Sequence, residues 1–286
     1  MSQLAKHYDL AKHHTHVGRS YDTSEPVGVR YGFDFEMERL EKHAPVEYTI
    51  TQRYLLRYVP ADATVVDIGV GVGHYSEYLA KRGCKVHLVD VAQRLLTAAQ
   101  ERLTEAGLKQ QILSITHASA TDLSFISDKS CDAVLMLGPL YHLSLPAERH
   151  QAVSEAYRVL RKGGLLLAAG INRMTILRWI YWDGPEDILE EKEWLQMYVK
   201  TGELPSPEAG MPSTGYLTTI ADFRAEFTDF QEIGLVGIES FAQVKEETLL
   251  TLSPEKAQIW LDLIEEIGRT PEGLGMTGHF LFIGRK

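Results

Sequence analysis

VVDIGVGVGHYSEYLA, residues 65–80, sets three glycines at alternate positions between an apolar run and a stretch with helical spacing. A β-branched run that ends in glycines and leads into a helix is the layout of a nucleotide-cofactor loop. Glycine lets the backbone approach a ligand closely, and the helix N-terminus offers free N–H groups. The spacing narrows the ligand. A dinucleotide fingerprint needs glycine at its first, third and sixth positions, whereas counting from Gly69 gives Gly71 and then His74, the third glycine being Gly73. Asp67, at the end of the apolar run, would repel a pyrophosphate in a partly desolvated site and would favour a cationic ligand.

Outward from this loop, short apolar runs alternate with longer amphipathic stretches, as parallel strands and crossover helices do. Strands are expected at Thr64–Gly69, Lys85–Asp90, Gln111–His117, Asp132–Leu137 and Leu165–Gly170, with helices near 74–82, 93–106 and 147–161. RKGG at 161–164 reads as a helix end, its basic residues favoured by the dipole and its glycine able to take a left-handed cap. After residue 170 the alternation lapses into an aromatic-rich and then Pro-, Gly- and Ser-rich stretch, an inserted cap over about 171–216. The pattern resumes with a helix from about Thr219, a strand through EIGLVGIESFA, a helix from about Ser253 and a last strand, HFLFIGRK. Ahead of the first strand, apolar residues at helical spacing, broken at Pro45 and stopped at Pro60, suggest two helices packed on the domain. The expected organisation is an N-terminal helical segment or lid over 1–60 and one α/β domain over 61–286 that carries the insertion.

Composition excludes several function classes. A net charge of −10 without a run of lysines and arginines argues against nucleic acid as a partner. No apolar run reaches the ~20 residues that cross a bilayer, and MSQLAKHYDLAKHH does not look like a secretory signal, so a cytoplasmic protein without membrane contact is expected. Cys84 and Cys131 are too few and too far apart for a disulfide framework or a zinc pair. His7, His13, His14 and His16 crowd the N-terminus without supporting ligands, and no metal is expected.

S-adenosylmethionine has no phosphate and carries a sulfonium and an ammonium, so Asp67 suits it. Asp90, ending the second strand in KVHLVD, can accept from both hydroxyls of a ribose. Taken in order, VVDIGVGVG, Asp90, ASATDLSF, CDAVLMLGPLYHL and RVLRKGGLLLAAG resemble the motifs of class I S-adenosylmethionine-dependent methyltransferases over roughly residues 60–170. LGPLYHL is similar to a group of bacterial small-molecule methyltransferases of the ubiquinone-methylase-like kind, in which a segment before the first strand carries an acid, an arginine and a second acid, here Glu36, Arg39 and Glu47. The resemblance implies a doubly wound, Rossmann-like sheet of seven strands, mostly parallel with the last antiparallel. It also implies that Asp67, Gly69, Gly71 and Gly73 hold the methionine portion, that Asp90 holds the ribose, that Ser119 and Ala120 flank the adenine, and that Leu137 lines the site. One departure stands out: Ala118, Ser119 and Ala120 occupy positions where the family often has Gly-Asp-Ala, so a carboxylate for the adenine amine is missing, with Asp122 or Ser119 as replacements.

The implied reaction is methyl transfer to an oxygen, nitrogen or carbon of a small-molecule acceptor. Tyr141 and His142, which follow the fourth strand, and Trp179 in the insertion are the acceptor-binding candidates. His142 is also the candidate general base, beside a reading in which it only orients the loop or the acceptor. Two rivals are a nicotinamide-dependent oxidoreductase, disfavoured by Asp67 and His74, and a methyltransferase-like binding protein without turnover.

Overall fold

Seven strands form one sheet in the order β3-β2-β1-β4-β5-β7-β6. They are β1 Thr64–Ile68, β2 Lys85–Asp90, β3 Ile112–His117, β4 Cys131–Met136, β5 Leu160–Ile171, β6 Gln231–Gly237 and β7 His279–Arg285. The first five are parallel, and β7 runs antiparallel between β5 and β6. The computed structural model describes residues 33–183, 185–204 and 215–286. The four N-terminal histidines and residues 205–214 of the insertion lie outside them.

The central strands are buried on both faces, which is why they read as continuous apolar runs. Alternate residues divide between two cores: Val65, Ala133, Leu135, Leu165, Leu167, Leu281 and Ile283 pack on one face, and Val66, Ile68, Val134, Met136, Leu166, Phe280 and Phe282 on the other. Ten helices cover the described chain: α1 Phe33–Glu38, α2 Pro45–Tyr58, α3 His74–Ala80, α4 Gln93–Glu105, α5 Pro146–Val159, α6 Met174–Asp183, α7 Ile188–Thr201, α8 Ile220–Ala225, α9 Pro254–Gly268 and α10 Pro271–Met276. A π-helical turn, Arg39–His43, joins α1 to α2, and the helix breaks at Ala44 because Pro45 lacks the N–H to continue it and its ring crowds the preceding residue. The insertion folds as α6 and α7 around its own small core of Ile176, Ile180, Leu195 and Tyr198.

RKGG does not cap a helix. α5 ends at Val159 and Leu160 is already extended, so Arg161 to Gly164 belong to β5. The register against β4 shifts there, with Cys131 opposite Leu160 but Ala133 opposite Leu165. Gly163, at φ +79°, takes the turn within this bulge. The C-terminus fixes the bulge: Gly163 N donates to Lys286 O at 2.9 Å and Lys286 N to Gly164 O at 3.0 Å. A pairing with the far end of the chain overrides the local capping signal.

Candidate cofactor and acceptor site

Between β1 and β4 the strand order reverses, and at such a point the loops leaving the two strands diverge and open a crevice at their carboxyl ends. A cavity of about 380 Å³ lies there. Of the residues singled out from sequence, Asp67, Gly69, Gly71, Asp90, Ser119, Ala120, Leu137, Tyr141 and His142 line it, together with Glu36, Arg39 and Glu47. Gly73 and Trp179 do not. Trp179 is half-buried on α6, and Gly73 starts α3 with a Cα facing Ala99, where a Cβ would come within 3.0 Å of the Ala99 methyl.

The three glycines therefore answer to different neighbours. All have positive φ, +71°, +55° and +85° in order. At Gly69 a Cβ would meet the Pro139 ring at 2.9 Å, so the protein itself excludes a side chain. At Gly71 a Cβ would meet no protein atom within 4 Å, because this residue faces the open cavity. The loop hooks over the second strand: Gly69 N and Val70 N both donate to Val89 O, at 2.8 and 3.1 Å.

Asp90 locks this hook from the side. Its Oδ2 accepts from Gly71 N and its Oδ1 from Ala92 N, both at 2.9 Å, which leaves each oxygen a further lone pair. Burial raises its pKa and the N–H donors oppose that rise. Asp67 is buried behind the loop, where Ser76 Oγ donates to its Oδ2 at 2.7 Å. Burial pushes its pKa up to about 7, the Ser76 hydroxyl opposes, and the Asp90 charge adds to the rise. His74, at the N-terminal end of α3, is driven down to about 4 by burial and then by Arg102 and Arg39, so it lines the cavity as a neutral ring.

Of the two candidates for the adenine side, Ser119 lines the cavity and Asp122 does not. The Ser119 hydroxyl lies on the cavity wall, 2.8 Å from Thr121 Oγ1. Asp122 is exposed and accepts from Ser124 N at 3.0 Å, as a turn residue does.

The opposite wall comes from the N-terminal helices. Arg39 donates to both Glu47 oxygens, at 2.6 and 3.4 Å, with Glu36 at 3.6 Å from its Nε. Burial would lower the Arg39 pKa, but Glu47 and Glu36 more than offset this and hold it high. Arg39 Nε, His74 Nδ1 and Tyr75 Oη are buried within this wall, Arg39 Nε 3.6 Å from Glu36 and His74 Nδ1 3.4 Å from Glu41.

Behind this wall stands a polar network that the sequence did not reveal. Glu246 Oε2 accepts from Glu47 N at 2.8 Å and so caps α2, whose own N-cap residue, Ala44, has no side-chain acceptor. Glu239, fully buried, accepts from Thr277 Oγ1, Gly278 N and His279 N at 2.7, 3.1 and 2.8 Å, and pairs with His279 Nδ1. Burial would lower the His279 pKa, but Glu239 outweighs it and raises it to about 9. Glu47, Glu239 and His279 offer ligand-type atoms within 4.8 Å of one another. The four donors already on Glu239 make it a clamp on the 277–279 turn. Val91, Leu95, Tyr75 and Pro139 also line the cavity. Val91 and Leu95 had a usable signal, since they follow the strand-ending acid at a helical interval of four.

A family described as Methyltransferase domain matches residues 66–168. A ubiquinone biosynthesis O-methyltransferase of Xanthomonas axonopodis pv. citri is 32% identical over 117 residues, 41% of this chain and 46% of that protein. An S-adenosyl-L-methionine-dependent Diels-Alderase of Talaromyces variabilis is 30% identical over 115 residues, 40% of this chain and 38% of that protein. The chain thus spans less than half the length of these curated relatives. A solved SAM-dependent methyltransferase of Methanosarcina mazei shares the fold, with a TM-score of 0.53 at 21% identity over 82% of this chain and 96% of that one. Among the described residues no helix is long and apolar enough to cross a membrane. The seven-stranded sheet is that of this methyltransferase fold, and residues 66–168 match the family described as Methyltransferase domain.

Proposed function

We propose that the protein transfers the methyl group of S-adenosylmethionine to an oxygen, nitrogen or carbon of a small-molecule acceptor. The observation that carries this reading is one cavity in which Asp67, Asp90 and the open backbone at Gly71 converge. Two carboxylates, with no lysine among the described residues that line the cavity, suit a cationic cofactor. Asp90 would hold the ribose hydroxyls, Asp67 and the Gly69–Gly71 backbone the methionine portion, and Ser119, Ala120 and Leu137 the adenine side.

When bound, S-adenosylmethionine supplies a methyl group activated by a sulfonium leaving group. The chain then has to align the acceptor in line with that methyl and keep water out. Tyr141 and His142, with ring centres 4.8 Å apart on the cavity wall, would do the aligning. We assign His142 to orientation, because displacement at a sulfonium needs proximity more than a base. Of the described residues, 33–60 of the N-terminal segment and 171–183 and 185–204 of the insertion would cover the site. The name of the Xanthomonas relative makes hydroxylated small molecules the first acceptors to screen, and a cytoplasmic setting follows from the same reading.

The test is calorimetric binding of S-adenosylmethionine, followed by a screen with methyl-labelled cofactor over a metabolite library and mass spectrometry of products. Label in a product supports the reading. Cofactor binding with no label in any product, alongside conversion of an acceptor, would support non-methylating chemistry of the kind named for the Talaromyces relative.

A further inference from the structure

Helix α9 is apolar on two sides. Leu261, Ile264 and Gly268 face inward to the sheet core. On the outer side Ile259, Trp260, Leu263 and Ile267 are exposed by 57, 47, 43 and 37%. Lys256, Trp260, Leu263 and Ile267 follow a 4-3-4 spacing, which keeps them within a sector of about 60° along ~16 Å of helix, the seam by which one helix packs on another. Phe241 extends the stripe by standing edge-on to Trp260 at 6.2 Å between ring centres, and it and Val244 are 38 and 52% exposed.

We propose that this face is the interface of a homodimer in which α9 packs antiparallel against its copy about a two-fold axis. At these exposures the six apolar side chains offer ~85 Å² each, so two copies would bury about 1,000 Å², the least that a specific interface takes. The charges at the ends of the stripe select both occupant and direction. Lys256 stands at its N-terminal end and Glu266 near its C-terminal end, both exposed. An antiparallel two-fold sets Trp260 against Leu263 of the partner and Lys256 within reach of the partner's Glu266, with opposed helix dipoles. A parallel arrangement would set lysine on lysine and glutamate on glutamate. The patch is thus complementary to itself, as a two-fold contact requires, and its centre holds a tryptophan, a residue enriched among binding anchors.

Sedimentation equilibrium of the full chain tests this over about 1 to 100 µM. The expected result is a dimer, and Leu263→Glu, at an exposed position that leaves the fold intact by circular dichroism, should raise the dissociation constant by at least ~100-fold, since each copy carries the change. Lys256→Glu and Glu266→Lys should each weaken the dimer, and the double exchange should restore it. A monomeric wild type, or a dimer indifferent to Leu263→Glu, overturns the interface. A dimer sensitive to Leu263→Glu but not rescued by the charge exchange overturns the antiparallel arrangement.

Discussion

The two walls of the cavity are built on different principles. The glycine-loop wall is made by residues close in sequence, its decisive bond joining Gly71 to Asp90, 19 residues apart. The acidic wall is assembled from afar: the helix that carries Glu47 is capped by Glu246, 199 residues on, and Glu239 clamps the turn leading into the last strand. A backbone-built wall tolerates no side chain but needs little support. A wall of charged side chains needs partners for every charge and recruits them from across the chain.

The largest expected effect comes from breaking the first wall where protein meets protein. Gly69→Ala places a methyl 2.9 Å from the Pro139 ring at a φ of +71°. Left-handed strain and overpacking together should destabilise the fold by about 2 to 4 kcal/mol in urea denaturation. Gly71→Ala shares the positive φ but meets open space, so it should lose less stability and instead weaken cofactor binding. Equal stability losses in the two variants would show that Pro139 does not set the Gly69 requirement.

Next in size is Asp90→Ala. Removing the proposed ribose acceptor from a buried site, and with it the partner of Gly71 N, should weaken S-adenosylmethionine binding by about 1.5 to 3 kcal/mol. Calorimetry giving wild-type affinity would remove Asp90 from the ribose. Binding of NADH as tight as that of S-adenosylmethionine would count against the cofactor assignment itself.

The same contrast explains what the sequence disclosed. β1, β2 and their loop were legible because a parallel strand buried on both faces leaves an unmistakable apolar run, and the strand-ending Asp67 and Asp90 interrupt it at the site. Asp122 against Ser119 could not be settled, because a loop carboxylate serves a turn as readily as a ligand. RKGG misled for a tertiary reason, its pairing with Lys286. Glu239, Glu246 and His279 left no local pattern: each is one polar residue in a loop, at the start of a 3-10 turn or at a strand start, and only the folded chain brings them behind Arg39 and Glu47.

Asp67, buried on the glycine-loop side, predicts a pH dependence. Its folded pKa of about 7 lies above the ordinary 3.8, so between those values the folded chain holds a proton that the unfolded chain has released. The stability from that proton is present at acidic pH and lost as pH rises through about 7. Binding of a cationic cofactor runs the other way, because it favours the carboxylate. Wild-type affinity should rise from pH 6 to pH 8 by up to roughly tenfold, and Asp67→Asn should flatten both profiles. A wild-type affinity independent of pH would mean that Asp67 stays outside the cofactor's field.

The smallest expected effect is at His142, on the cavity wall beside Tyr141. An asparagine there keeps a polar group able to hold the acceptor but cannot take a proton at neutral pH. If orientation is the role, His142→Asn should keep turnover within about threefold of wild type, while His142→Ala raises KM for the acceptor more than it lowers kcat. If His142 were the base, both variants should lose at least ~100-fold in kcat, with part of that loss recovered at high pH for an acceptor that ionises by itself. Parallel kcat and KM profiles across pH for wild type and the two variants separate the outcomes. A shared, pH-rescued loss in kcat would move His142 from holding the acceptor to accepting its proton.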